Sequence, residues 1–201
     1  MTAGLAGSIR AVTDNFVLAG RRAALGPLHR DHLPLLARWV NDPEVRRGLA
    51  YRGIVNEDAE LKWYEEMTEA GRAPRPTAVG FAVHDAADAE LVGVCGIEDI
   101  DHHFSRAELG IFLGRRRGTG LGTDATRLAL DWAFNMLGLH NVMLETFDFN
   151  EQARHAYERA GFRMIGRRRG ALRVLGRRCD SLLMDATADD FESPVLARLR
   201  P

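Results

Sequence analysis

The chain has 201 residues, which is enough for one domain with a substantial core and too few for two. Apolar residues make up 46% and charged residues 27%, and the formal net charge of -1 argues against general nucleic-acid binding, which usually needs a basic domain. The sequence contains neither a run of about 18 apolar residues nor the apolar core of a signal peptide. We therefore expect a cytoplasmic protein without a nucleic-acid or membrane partner.

The first part of the chain predicts one strand followed by two helices. Residues 1–15 are expected to form a flexible leader, and residues 15–28 favour a strand. Apolar residues at helical spacing predict a first helix within 29–42 and a second helix over 56–70. Closely spaced prolines then predict a loop before the next strand.

The middle of the chain changes from helical period to short strands in close succession. These strands are predicted over residues 77–85, 90–100 and 106–114, and their short connections favour antiparallel pairing. Apolar residues at helical spacing then predict a long helix within 123–140, and residues 141–147 predict a buried strand. The last three of these elements form a predicted β–α–β unit.

The remaining residues predict a short helix over 150–162 and a hairpin over 163–186 that turns near Gly176. Residues 188–201 are expected to form a C-terminal tail. The element order predicts an α/β fold of the α+β type, with one domain over residues 16–187. Its sheet is expected to be mixed and mostly antiparallel, with about seven strands, a central β–α–β unit and flanking helices.

A glycine-rich stretch, RRRGTGLGT at residues 115–123, joins the strand and the helix of the β–α–β unit. The N-terminus of a helix points several backbone N–H groups at one spot, and glycines allow a phosphate to approach them closely. A helix-capping turn with solvated arginines is the alternative. The stretch lacks the lysine of a Walker A loop, and Gly122 is one residue early for a Rossmann loop.

The pattern Arg115-x-x-Gly118-x-Gly120 resembles the acetyl-coenzyme A signature Gln/Arg-x-x-Gly-x-Gly/Ala of the GNAT acetyltransferases. The longer run RAELGIFLGRRRGTGLGTDATRLALDWAFNMLGLHNVMLETFDFNEQARHAYERAGF resembles the branch with the ribosomal-protein N-terminal acetyltransferases (RimJ and RimL) and the spermidine acetyltransferases. The opening PLHRDHLPLLARWVNDPEV and the closing GALRVLGRRCDSLLM are similar to the same branch. The resemblance therefore covers roughly residues 16–187.

This resemblance implies an N-acetyltransferase that uses acetyl-CoA as cosubstrate and no metal. The acetyl group would pass to a primary amine by direct attack through a tetrahedral intermediate. The implied acceptor is a small cationic amine or a protein N-terminus, and the protein is a possible homo-oligomer. A non-catalytic acyl-CoA-binding regulatory module on the same fold stays open as the alternative, with a dinucleotide-binding oxidoreductase as a more distant one.

The resemblance also implies roles for particular residues. Tyr157 matches the general acid that protonates the leaving thiolate. Glu108 matches the glutamate of AELG and is the first candidate for the base that takes a proton from the amine. Asp99 and Glu98 are the next candidates. Asn150 would cap its helix and help to hold the pantetheine arm. The implied cofactor-binding residues are Ile111, Phe112 and Leu113, through backbone amides that polarise the thioester carbonyl, and Arg115, Arg117, Gly118, Thr119, Gly120, Leu121, Gly122, Thr123 and Asn150.

Clusters of charge suggest how the two substrates are separated. Acidic residues are frequent in the second predicted helix, over 57–66, and follow the strand at 98–101. Arginines cluster at 115–117 and 167–178. We therefore expect a cationic acceptor to enter beside the two predicted N-terminal helices, the second of which is acidic, and the arginines to lie on the cofactor side. The alternative is that residues 57–66 form a solvated helix face.

Overall fold

An eight-stranded sheet organises residues 15–49 and 53–199, which are the residues that the computed structural model describes. Neighbouring strands are antiparallel except β5 and β6, which are parallel, and the spatial order is β1–β2–β3–β4–β5–β6–β8–β7 once the strands are numbered along the chain. The strands are β1 (Leu18–Ala19), β2 (Ala23–Pro27), β3 (Val79–Asp85), β4 (Leu91–Asp101), β5 (Arg106–Leu113), β6 (Asn141–Phe147), β7 (Arg163–Val174) and β8 (Arg177–Thr187).

The predicted mixed and mostly antiparallel sheet with a central β–α–β unit is confirmed. One strand more is present than the seven expected, because the residues predicted as a single first strand form the short hairpin β1–β2. Leu175 and Gly176 have φ of +47° and +81°, and they make the turn of the β7–β8 hairpin where the sequence predicts it.

Helices cover both faces of this sheet. Asn56 caps α3 by accepting a hydrogen bond from the N–H of Ala59 at 2.9 Å, and Gly161 ends α5 with a φ of +112°. The helices of the described residues, apart from short 3-10 turns, are α1 (Leu33–Asn41), α2 (Pro43–Arg46), α3 (Glu57–Arg72), α4 (Leu121–Asn135) and α5 (Glu151–Ala160).

Two separate apolar clusters follow from the alternation of side chains along β5. Ile111 and Leu113 point to the face that α4 covers, where the larger core contains Leu128 and other fully buried side chains. Phe112 points to the opposite face and packs with Trp39 of α1. The residues of β5 therefore contact both helical layers.

The parallel strands β5 and β6 separate along their length. They pair only at Arg106, Ala107 and Glu108, at the start of β5. Beyond Glu108, β5 continues to pair with β4 on its other side, and β6 continues to pair with β8. A gap therefore opens in the middle of the sheet, between two strands that each keep one partner.

The residues after β8 pack against α4. The carboxylate of Asp131, which is fully buried, accepts hydrogen bonds from Ser193 Oγ at 2.6 Å and from the N–H groups of Val195 and Leu196, each at 2.9 Å. The predicted leader lies outside the described residues except for Asn15. In the described ranges no helix has the length and apolar character needed to span a membrane.

Candidate active site

A cleft of about 670 Å³ occupies the gap between β5 and β6. Its walls come from β5, the start of α4, the end of β6, α5, the α2 region and the β7–β8 hairpin. The structure thus brings most of the predicted site residues to one cavity. The predicted residues that line it are Glu108, Ile111, Phe112, Leu113, Arg117, Gly118, Gly120, Gly122, Thr123, Asn150 and Tyr157.

Three predicted cofactor-binding residues lie outside the walls of this cleft. The side chain of Arg115 pairs with Glu90, the residue just before β4, which draws it away from the glycine loop. The Thr119 hydroxyl donates to the carbonyl of Arg116 at 2.7 Å, and Leu121 is buried in the larger core. The prediction that the Arg115 side chain is a charge partner for pyrophosphate therefore does not agree with its geometry.

The glycine loop leaves the N-terminus of α4 open. Gly118 and Gly120 have φ of +82° and +88°, a region that favours glycine. Gly120 is the N-cap and provides no side-chain acceptor, so the first N–H groups of α4 have no partner within the helix. Asp124 in the first turn accepts instead from the backbone of Arg22, at 2.6 Å, and of Ala23, at 2.9 Å.

These features fit a ligand that carries a diphosphate. Besides the N–H groups of α4, the buried hydroxyls of Thr123 and Thr126 line the cleft and have no hydrogen-bond partner among the described residues. The helix dipole favours negative charge at this position. Arg117 also lines the cleft, and its exposed ion pair with Glu44, at 3.1 Å, can exchange at little cost.

The backbone of β5 provides donors on the open side of the sheet. The N–H of Gly114 donates to the carbonyl of Val92 at 2.9 Å, and hydrogen-bonded pairs alternate along antiparallel strands. Phe112 therefore pairs with β4, whereas the N–H groups of Ile111 and Leu113 point toward the gap. This alternation limits the expected backbone role to Ile111 and Leu113 and removes it from Phe112.

Tyr157 projects from α5 into the cleft. Asn150 caps this helix, and its Oδ1 accepts from the N–H of Ala153 at 3.4 Å, as the sequence predicts. The ring of Tyr157 packs edge-on against Phe162, with 6.1 Å between the ring centroids. Burial raises the pKa of Tyr157 to about 12, so its hydroxyl stays protonated and can donate a hydrogen bond at neutral pH.

Carboxylates gather at the end of the cleft where β5 and β6 still pair. Glu108 is half-buried, and its pKa is raised first by burial and then by the charges of Asp99 and Glu145. Asp99 lies at a bulge in β4 with a φ of +49°. The pKa of Glu98 is raised by burial first and then by Asp99 and Glu108.

Sequence reasoning missed Glu145, although it lines the cleft beside Glu108. Within its own strand Glu145 is the one charged residue, and it lies next to the polar Thr146. The parallel register, which pairs Glu108 with Met143 two residues before Glu145, puts the two carboxylates on one face of the sheet. The sequence predicts that these two strands belong to one β–α–β unit, but it does not provide their register, which brings Glu145 close to Glu108.

The expected contribution of the acidic residues of α3 to the cleft wall is wrong, whereas residues between the N-terminal helices do line the cleft. Glu60 is buried, Glu65 pairs with Arg30 at 3.2 Å, and α3 contributes no residue to the cleft wall. The cleft is bounded on that side by α2 and the residues after it, among them Val45 and Gly48. The α3 carboxylates therefore lie on an outer face of the helical layer, apart from the buried Glu60.

The expected placement of the hairpin arginines on the cofactor side is also wrong for Arg168. This residue lines the cleft and has its Nη1 at 3.9 Å from Oε1 of Glu145. It therefore lies at the carboxylate end.

A parallel strand pair that separates around an open helix N-terminus, with a tyrosine from the next helix facing the gap, is the arrangement that the resemblance to an acetyltransferase predicts. Residues 22–163, more than half of the chain, match the family described as "Acetyltransferase (GNAT) domain". The chain belongs to the GNAT acetyltransferase family. The family, the fold and the enzyme class predicted from the sequence, an N-acetyltransferase, are confirmed.

Similar proteins come from the same branch of the family. Spermidine N(1)-acetyltransferase of Escherichia coli K12 is 30% identical over 151 residues, which are 71% of this chain and 73% of that protein. The structure of spermidine N-acetyltransferase from Vibrio cholerae with CoA and spermine has a TM-score of 0.75 at 23% identity, over 84% of this chain and 96% of that one. The structure of Mycobacterium smegmatis RimJ in complex with CoA-disulfide has a TM-score of 0.75 at 22% identity. The match covers 88% of this chain and 87% of that one.

Proposed function

We propose that the protein transfers an acetyl group from acetyl-CoA to a primary amine by direct attack of the amine on the thioester. The observation that carries this proposal is one continuous cleft with backbone donors at one end, carboxylates at the other and the Tyr157 phenol in its wall. The structural relatives described with CoA support the choice of cosubstrate.

The glycine loop would hold the cofactor through its backbone. When bound, acetyl-CoA supplies the acetyl group as an activated thioester. The N–H groups of residues 118–123 bind the pyrophosphate, with Arg117 as a charge partner. The N–H groups of Ile111 and Leu113 orient the pantetheine arm and polarise the thioester carbonyl, which places donors where negative charge develops. Asn150 lies close enough to the same cavity to hold the arm while it caps α5.

Tyr157 and Glu108 would move the protons. A thiol has a pKa of about 8.5, well below the value of about 12 for Tyr157, so the phenol stabilises the leaving thiolate chiefly as a hydrogen-bond donor. An acceptor amine is mostly protonated at pH 7 and must lose a proton before it attacks. The raised pKa of Glu108 brings this base closer to the pKa of an amine, which favours proton transfer.

The test is release of free thiol from acetyl-CoA in the presence of a panel of amines, with mass detection of the acetylated product. We expect turnover with at least one primary amine and a strong loss of turnover in Tyr157→Phe. Tight binding of acetyl-CoA without turnover on any amine would instead support the regulatory-module alternative. A cytoplasmic location and a homo-oligomer remain predictions.

A further inference from the structure

Arg168 is the arginine of the β7–β8 hairpin that faces the cleft. Its register partner on β8 is Ser181, and Ser181 in turn pairs with Phe147 of β6. Register partners point to the same face of a sheet, so Arg168 lies on the face that carries Glu145 and Phe147. This face also carries Glu108, the candidate base.

The guanidinium of Arg168 keeps most of its donors free. Its contact with Glu145, at 3.9 Å, is longer than the 2.7–2.9 Å of a charge-assisted hydrogen bond, and its side chain is 63% exposed. The adjacent Arg167 differs, because its Nε donates directly to Asp180. Arg168 is therefore positioned to bind a ligand, whereas Arg167 is already held by the protein.

The charges around Arg168 favour one kind of acceptor. Glu108 and Glu145 attract the ammonium group of an acceptor, and Arg168 stands next to them as a cation. A polyamine would be repelled wherever its second positive charge came close to the guanidinium of Arg168. An amine with an oxygen close to it would place that oxygen against the guanidinium fork, which binds carbonyl and carboxylate oxygens well.

We propose that Arg168 is a specificity residue that binds the carbonyl oxygen next to the reacting amine of a peptide N-terminus. This inference rests on the proposed acetyl transfer and deepens it, because it names the acceptor class. An N-terminal α-amine has a pKa of about 7.7–8.0 against about 10.4 for an alkyl amine, so more of it is neutral at pH 7. The preferred acceptor is thus a peptide α-amine and not a polyamine, in contrast to the relatives named spermidine acetyltransferases.

The test compares trialanine amide with spermidine as acceptors for the wild type and for Arg168→Gln. We expect the wild type to have the higher kcat/KM with trialanine amide. In Arg168→Gln the KM for trialanine amide rises about tenfold, as for loss of one charged hydrogen bond, with little change in kcat. The KM for spermidine falls in the same variant. Arg168→Lys keeps the positive charge but lacks the planar guanidinium. It should therefore raise the KM for trialanine amide and still disfavour spermidine.

Arg173→Gln is the matched control, because it removes the same charge from the same hairpin at a residue that does not line the cleft. It should leave both KM values unchanged, and Arg168→Gln should leave the affinity for acetyl-CoA unchanged in calorimetry. Weaker acetyl-CoA binding in Arg168→Gln overturns the specificity role of Arg168. An unchanged ratio of kcat/KM for the two acceptors overturns it as well. Either result leaves the acetyl-transfer proposal intact. Absence of turnover with every amine overturns the acetyl-transfer proposal and this inference with it.

Discussion

At the glycine-loop end of the cleft the candidate binding groups are mostly backbone N–H groups, whereas at the carboxylate end they are side chains. The proposed loop donors belong to residues 118–123, of which Gly118, Gly120, Gly122 and Thr123 line the cleft where α4 begins. The opposite end combines Glu108 of β5, Glu145 of β6 and Arg168 of β7. The first end should therefore respond to changes of backbone conformation, and the second to changes of charge.

The largest effect is expected from Gly120→Val. Gly120 has a φ of +88°, where a β-branched residue is strained, and a Cβ there would lie 3.3 Å from Arg22 Cδ. The change should shift the loop and block the approach of the pyrophosphate to the N–H groups. We expect acetyl-CoA binding to become undetectable by isothermal titration calorimetry.

Gly138→Val is the control for this change. Gly138 follows the same helix with a φ of +67°, and no atom lies within 4 Å of a Cβ built on it. Both variants should lose a comparable ~1–2 kcal/mol of stability from the left-handed conformation, but only Gly120→Val should lose acetyl-CoA. Equal affinities in the two variants would show that the loop does not hold the pyrophosphate.

Tyr157→Phe tests the residue that lies between the two ends. The change removes one hydroxyl and keeps the ring that packs on Phe162. We expect kcat to fall on the order of a hundredfold or more, with little change in the KM for acetyl-CoA, because the lost donor acts on the leaving thiolate. Tyr64→Phe, on α3 and outside the cleft wall, is the control and should retain full activity. A rate in Tyr157→Phe equal to that of the control would reduce Tyr157 to a packing role.

Glu108→Gln should have a smaller effect that depends on pH. Without the base, the reaction depends on the fraction of amine that is already neutral, so we expect a loss of about tenfold at pH 7. The loss should shrink as pH rises toward the pKa of the amine. Glu98→Gln, at the register partner of Glu108 and outside the cleft wall, is the comparison. A larger loss in Glu98→Gln would transfer the base role to Glu98.

The same contrast between the two ends explains what the sequence could predict. Residues 118–123 are contiguous and lie at a strand-to-helix turn, which allows either an anion site or a capping turn, and the resemblance to the GNAT family selects the first and adds Tyr157 on the next helix. Glu145 and Arg168 meet only because β8 lies between β6 and β7, and local patterning does not reveal that order. The prediction that the acidic residues of α3 lie beside the acceptor failed for the same reason. Their charge is visible in the sequence, but their distance from the cleft is not.

The side chains of Arg115 and Arg117 show a further limit of the pattern. Both belong to the glycine stretch and carry the same charge. Arg115 pairs with Glu90, which directly precedes β4, whereas Arg117 lines the cleft. The difference arises from acidic residues of the β3–β4 hairpin, about 30 positions earlier in the chain, which also hold Arg116. A motif therefore locates the backbone site more reliably than it locates the side chains around it.

The smallest expected effect is a shift in the pH dependence of Glu145→Gln. The charge of Glu145 disfavours ionisation of Glu108 and contributes to its raised pKa. Removing that charge, and leaving the Arg168 guanidinium unopposed, should lower the pKa of Glu108. Because Glu108 acts as a base only when ionised, the acid limb of kcat/KM against pH should then move to lower pH.

Glu44→Gln sharpens the comparison at the other end of the cleft. Glu44 also lines the cavity, but it pairs with Arg117 beside the glycine loop and does not contribute to the pKa shift of Glu108. Its removal should therefore leave the acid limb in place, and the affinity for acetyl-CoA should rise slightly because Arg117 is freed for the pyrophosphate. The measurement is kcat/KM from pH 5 to 9 for both variants at low and high salt, since screening should weaken the Glu145 effect. If both variants moved the limb equally, the shift would reflect the overall charge of the cleft, and the electrostatic separation of its two ends would be refuted.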